Sequence, residues 1–311
     1  MDSLRDAFGR ELVNLAKEDE RIVAIDCDMA KHTRLNWFFS EFPERSFQAG
    51  ISEQHAIGLA AGMANCGLVP VVSSSASFIL PRCWEQVRHS VGLTMQNVKI
   101  IGTHVGFAGG EDGPSHQCFE DIALARAIPN LVVLAPADSI EMREMTRFAI
   151  QHQGPVYIRM GRKVLPTIFA SSYSFELSKP VKLRDGEKLA VISTGENIHE
   201  CLSACEQVKV ENGIDAALIH IPSIHPMDSE LLLTYLEGIK HVVLVEDHLI
   251  AGGLSSLVSE KLFGRLTVET FRILSVGNQY GQTGTEDELR KHFGLDSQSI
   301  IDVMRGCLNA V

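Results

Sequence analysis

Short aliphatic runs alternating with helix-length polar-apolar stretches constrain this chain more than any other feature. In the first half the runs are RIVAIDCD, VPVVSS, VKIIGTH, NLVVLAP and PVYIRMG. Each is rich in Val and Ile and flanked by Gly, Pro, Ser or acids, as expected of strands buried on both faces. Helical patterns fill the gaps at Leu4 to Lys17, Glu53 to Asn65, Trp84 to Gly92 and Ser139 to Gln151, the last entered through PADS. Strand-helix alternation of this kind predicts α/β layers and mostly parallel sheets.

The rhythm breaks at TIFASSYSFELSKPVKLRDGEK, which is polar, carries Ser, Pro and Gly, and has no helical period. It reads as a linker. The alternation then restarts. LAVISTG, IDAALIHIPSIHP, HVVLVEDH and FRILSVG read as strands. ENIHECLSACEQVKVENG reads as a helix closed by Gly213, and the tail as two short helices. The expected organisation is two open, mostly parallel α/β domains, residues 1–168 and 187–311, joined by 169–186.

Composition excludes several classes. The net charge of −11 argues against non-specific nucleic-acid binding. Seven cysteines form no CxxC pair and no Cys/His cluster, so reduced thiols and no structural zinc are expected. No apolar stretch is long enough for a membrane span, and the acidic amphipathic start does not resemble a signal peptide. The expected location is cytoplasmic.

Two stretches draw attention chemically. In GISEQHAIGLAAGMANCGLVPVV, Glu53 stands at the mouth of an otherwise small and apolar helix. Burying a carboxylate costs several kcal/mol unless it is paired. The plainer reading is an acid favoured by the helix dipole. In HVGFAGGEDGPSHQ, two histidines and two acids share a glycine-rich loop after a strand, where ligands of open α/β sheets bind. No GxxxxGK[ST] loop and no GxGxxG follows a strand.

Three stretches in order, AGISEQHAIGLAAGMA, THVGFAGGEDGPSHQ and GPVYIRMGR, resemble the pyrimidine-binding half of transketolase, a thiamine-diphosphate enzyme. Downstream, VEDHLIAGGLSS and YGQTGTEDELRKHFGL resemble its C-terminal domain. The resemblance covers nearly the whole chain and is greatest to the C-terminal subunit of split, two-subunit transketolases.

The resemblance implies roles. Glu53 would bond a ring nitrogen of the cofactor's aminopyrimidine and set up deprotonation of the thiazolium carbon. Burial would favour the protonated carboxyl that this contact needs. Phe78 would stack on the pyrimidine; its rival role is a core phenylalanine. His104 would reach the phosphate end of a sugar substrate. His116 would lie near the reacting carbonyl and move protons, and Asp112 would contact hydroxyls. Arg159 would pair with the substrate phosphate. Its rival role is a strand-end salt bridge, and Arg162 competes for the phosphate. Arg5 matches a second phosphate-binding arginine, or is simply solvated. Asp28 matches an acid near the thiazolium, or caps the helix after it. His55, His225 and His248 are expected to be structural.

The family holds the diphosphate through Mg²⁺ with a GDG motif followed by an Asn, and this chain has no GDG. The resemblance therefore implies half a site and no metal ligands here. An N-terminal subunit would carry the diphosphate-binding domain, in a heterotetramer acting on sugar phosphates. The expected activity is transfer of a two-carbon ketol unit. The alternatives are a deoxyxylulose-phosphate-synthase-like enzyme or a 2-oxoacid dehydrogenase of the beta type, and, in another class, an inactive assembly or regulatory subunit. His104 favours ketol transfer over the first two.

Overall fold

A computed structural model describes residues 2–309. Two sheets organise them. The strands, in chain order, are β1 (Ile22–Asp26), β2 (Ser46–Gln48), β3 (Val69–Ser75), β4 (Lys99–Thr103), β5 (Val132–Leu134), β6 (Val156–Met160), β7 (Val181–Arg184), β8 (Leu189–Ser193), β9 (Ala216–His220), β10 (Ser223–His225), β11 (His241–Val245) and β12 (Thr270–Leu274). The first sheet runs β10-β5-β6-β4-β3-β1-β2 and the second β12-β11-β8-β9-β7. Within each, all pairs are parallel except at one edge, where β10 lies antiparallel to β5 and β7 antiparallel to β9. The fold is the expected mixed α/β architecture. A two-residue ribbon, Asp2–Ser3 against Val164–Leu165, ties the start of the first helix to the segment after β6.

Side-chain alternation explains why the first sheet needs cover on both faces. Ala24, Val71, Ile101, Leu134 and Ile158 face one way, against the helices Leu4–Glu18 and Ser139–Gln151. Ile25, Val72, Ile100, Val133 and Tyr157 face the other way, into a core shared with Glu53–Asn65 and with strands of the second sheet. The helix starts are capped locally. Ser3 Oγ accepts from Asp6 N at 3.1 Å, and Asp138 Oδ1 accepts from Ile140 N and Glu141 N at 2.9 Å each.

Three expectations change. The run IDAALIHIPSIHP is two strands, β9 in the second sheet and β10 at the edge of the first. Val181–Arg184, inside the segment read as a linker, forms β7, whose V-K-L-R alternation suits a half-buried edge. The helix from Trp84 ends its regular turn at Gln86 and widens into π-type turns over Val87–Leu93.

In the first sheet β1 has β2 on one side and β3 on the other, so the order reverses at the β1/β3 pair. The crevice outside the carboxyl ends of such a pair is where doubly wound sheets bind ligands. Among the described residues, no helix is long and apolar enough to cross a membrane.

Candidate active site

A cavity of about 460 Å³ opens at that crevice. Met29 and His32 reach it from the turn after β1, Ser75 and Phe78 from the end of β3, and His104 from the end of β4. Asp112 and His116 come from the glycine-rich loop, and Arg162 from just beyond β6. Strand ends thus gather residues that the sequence scatters over more than 130 positions, from Met29 to Arg162.

Glu53 begins its helix and is only 2% exposed. Its surroundings are not purely apolar, as the sequence suggested. Arg82 Nη1 donates to Glu53 Oε2 at 2.9 Å, and Ser74 Oγ lies 3.5 Å from Oε1. The Arg82 guanidinium also lies 4.3 Å from the centre of the Phe78 ring. Arg82 was missed in the sequence because it falls in a stretch with no motif of its own. The signal lay in its spacing, one turn after Phe78, and in the need of a buried acid for a partner. Burial, followed by the nearby Glu53 charge, pushes the thiols of Cys27 and Cys83 up to about 12, so neither is a nucleophile.

Phe78 is half-buried, with the His116 ring edge-on at 5.3 Å. Both line the cavity, so Phe78 is not a core phenylalanine. Ser115 Oγ is 3.0 Å from His116 Nδ1. Asp112 and His116 are exposed. His104 is 8% exposed, holds φ at 60°, and has a buried Nδ1 without a partner. A non-glycine residue in the left-handed region is strained, and such strain clusters at functional positions. Burial, and then the positive charges of Arg162 and Arg5, depress the His104 pKa to about 3. At neutral pH it is therefore an uncharged imidazole that donates from one nitrogen and accepts at the other.

Arg159 is not brought to the cavity. It is 3% exposed and locked inside the molecule. Its Nε donates to Asp121 Oδ2 at 2.9 Å, a carboxylate that Tyr157 Oη also reaches, and its Nη1 donates to Asp247 Oδ1 at 3.1 Å. Burial alone would lower its pKa, but the two carboxylates outweigh that and raise it above the usual arginine value. The salt-bridge role holds, and Arg162 is the arginine that lines the cavity. Arg5 and Arg162, with Lys163, border an adjoining cavity of about 390 Å³ closed by Thr285 and Glu286. Arg5 Nη1 donates to His32 O at 3.0 Å, so it is anchored beside the site, not merely solvated. Asp28 stays outside. It is exposed, with φ at 63°, and its N–H donates to Gln48 Oε1 at 3.1 Å. It caps nothing; Asp26 is the acid that accepts Met29 N, at 3.0 Å.

Comparison with known proteins identifies the family. Residues 2–167 match the family model "Transketolase, pyrimidine binding domain", and residues 178–300 match "Transketolase, C-terminal domain". The chain belongs to the transketolase family. It is 41% identical to the "Putative transketolase C-terminal section" of Methanocaldococcus jannaschii, covering 96% of this chain and 93% of that protein. It is 32% identical to one of the subunits of the apulose-4-phosphate transketolase of Actinobacillus succinogenes, covering 97% of each. It is also 35% identical to the 1-deoxy-D-xylulose-5-phosphate synthase of Syntrophus aciditrophicus, spanning 99% of this chain but about half, 47%, of that enzyme. Among solved structures, "Split gene transketolase, inactive beta4 tetramer" matches with a TM-score of 0.90, 34% identity and 99% coverage of both chains.

The residues of this transketolase-family chain suit a flat, hydrogen-bonding ring. A buried carboxylate and an aromatic face stand together, and a planar guanidinium already touches both. Among the described residues no group of three or more His, Cys, Asp or Glu is placed to hold a metal ion.

Proposed function

We propose that this chain is the C-terminal subunit of a thiamine-diphosphate-dependent transketolase that moves a two-carbon ketol unit between sugar phosphates. The observation that carries the reading is the convergence of Phe78, His104, Asp112, His116 and Arg162 on one cavity, with Glu53 buried beside them. When bound, the cofactor supplies the carbon nucleophile that the protein lacks. Glu53 and Phe78 would hold its pyrimidine, the acid by a hydrogen bond and the ring by stacking, once the ring takes the place on both that the Arg82 guanidinium now holds. His116 moves a proton at the reacting carbonyl, and Asp112 binds substrate hydroxyls. His104, uncharged, donates a hydrogen bond towards the substrate's phosphate end, while Arg162 and Arg5 supply the charge there. Mg²⁺ and its ligands belong to a partner subunit carrying the diphosphate-binding domain. The assembly is a heterotetramer in the cytoplasm, and the two domains of this subunit are joined by the segment that ends where β7 begins at Val181.

The reading predicts no thiamine-diphosphate-dependent activity from the isolated chain and ketol transfer once the N-terminal subunit is added. A panel of sugar phosphates then identifies donor and acceptor. Glu53→Gln should lower turnover by at least about 100-fold with an unchanged circular dichroism spectrum and Tm. Wild-type rates in that variant, or robust activity of the lone chain, would remove the assignment.

The 35% identity to a 1-deoxy-D-xylulose-5-phosphate synthase favours one rival. Formation of 1-deoxy-D-xylulose 5-phosphate by the reconstituted pair, in place of ketol transfer, would establish it. No activity of either kind with a folded, assembled pair would instead support an assembly or regulatory role.

A further inference from the structure

The cavity is lined wholly by residues up to Arg162, so the C-terminal unit gives it no side chain. That unit nevertheless grips the glycine-rich loop. The segment Gly281–Gly284 lies against it along its length. A Cβ at Gly113 would stand 2.8 Å from Thr283 Oγ1, and one at Gly110 3.5 Å from Gly284 O. A Cβ at Gly281 would fall 1.6 Å from Gln117 Oε1, so any larger residue there would push the Gln117 amide from its place.

At the centre is Gln117, 5% exposed and next in sequence to His116. Its Nε2 donates across the seam to Gln282 O at 2.7 Å and within the loop to Gly110 O at 3.2 Å. An amide nitrogen has two protons, and here each is committed to a different carbonyl. The loop's other side is equally fixed, since a Cβ on Gly109 would stand 2.9 Å from the backbone of His116 and Gln117.

We infer that Gln117 is a positioning residue: anchored on the Gln282 carbonyl, it lets the C-terminal unit set where His116 and Asp112 stand in the cavity. The inference deepens the ketol-transfer reading and rests on it for what the loop does.

The test uses Gln117→Leu, Gln117→Glu and Gly281→Ala in the full chain, with hydrogen exchange of residues 104–118 as the first readout. Gln117→Leu should speed exchange there about tenfold and leave other segments unchanged. Gly281→Ala, pressing on the same amide from the other side, should give the same local signature. Gln117→Glu adds a readout that mere space-filling would not move. Its buried carboxyl is protonated near pH 5 and can then donate to Gln282 O, whereas near pH 8 it is an anion facing two carbonyls. After correction for intrinsic rates, protection near pH 5 should return most of the way to wild type, short only of the bond to Gly110 O that a single O–H cannot also make, and near pH 8 should match the leucine variant. In the reconstituted complex, Gln117→Leu should lower kcat about tenfold with KM changed less than about twofold. Unchanged exchange in all folded variants, loosening spread over the whole chain, a Gln117→Glu loop indifferent to pH, or an unaltered kcat would each overturn the proposal. The exchange readout needs no substrate. An inactive wild-type complex with the expected exchange pattern would therefore defeat the ketol-transfer reading while leaving the anchor standing.

Discussion

Arg159 and Arg162 are three residues apart and have opposite fates. Arg159 sits between Asp121 and Asp247, respectively 38 and 88 positions away in the chain. Removing one partner of a buried ion network leaves charge unpaired, so Arg159→Ala should cost about 3–5 kcal/mol in denaturant unfolding. Arg162→Ala should leave stability within about 0.5 kcal/mol, because its side chain is exposed. It should raise KM for phosphorylated acceptors more than for unphosphorylated ones, and equal loss for both would move it away from phosphate. The sequence displayed both arginines but not the distant carboxylates that separate them. His104 gives a pH-dependent consequence. Its folded pKa of about 3 lies below the ordinary 6.5, so between those values only the unfolded chain binds the proton. Stability should therefore fall as pH drops from about 6.5 towards 3, with a contribution approaching about 1.4 kcal/mol per pH unit. His104→Asn should flatten that slope relative to wild type. An identical acid limb in both would show that the imidazole titrates normally.

Elements were legible where their signals are local. In the first sheet β1, β3, β4, β5 and β6 fall on the aliphatic runs, whereas the short edge strand β2, Ser-Phe-Gln, carries no such signal; Glu53–Asn65 and Ser139–Gln151 fall where the helical period put them. The missed helix Leu254–Leu262 is entered through Gly253, which has no side chain to cap it. Glu246, eight positions earlier, accepts Leu254 N and Ser255 N instead, a cap supplied by the preceding strand's end. Ser229–Tyr235 did carry a local signal, the Asp228 cap that accepts Glu230 N and Leu231 N, and its period was simply too short to stand out. Asp138 joins local and distant roles. Besides capping its helix it accepts Ile168 N at 2.6 Å and Phe169 N at 2.9 Å, fixing the path out of the first domain. Asp138→Ala should therefore cost about 2–4 kcal/mol, more than a helix cap alone. A urea midpoint shift equivalent to less than about 1 kcal/mol would mean that this second pair of bonds contributes nothing.

At the scale of the molecule, the motif spacing indicated which loops meet, because parallel strands bring their carboxyl ends to one edge. Of the expected site residues, Phe78, His104, Asp112 and His116 line one cavity and Arg5 the next, with the buried Glu53 joined to Phe78 through Arg82, whereas Arg159 and Asp28 stand apart. What the sequence could not display was the traffic between the two units. β10 leaves its own unit to pair with β5. Every backbone group of a β-sheet edge is an invitation to another chain, and β10 answers that invitation from within. A polypeptide cut after residue 168 would lose this guard, and Val133 and Tyr157 would lose the apolar cover of Ile192, Ile219 and Leu244. Such a fragment should stick to copies of itself during refolding, measurable by light scattering, while the full chain stays clear.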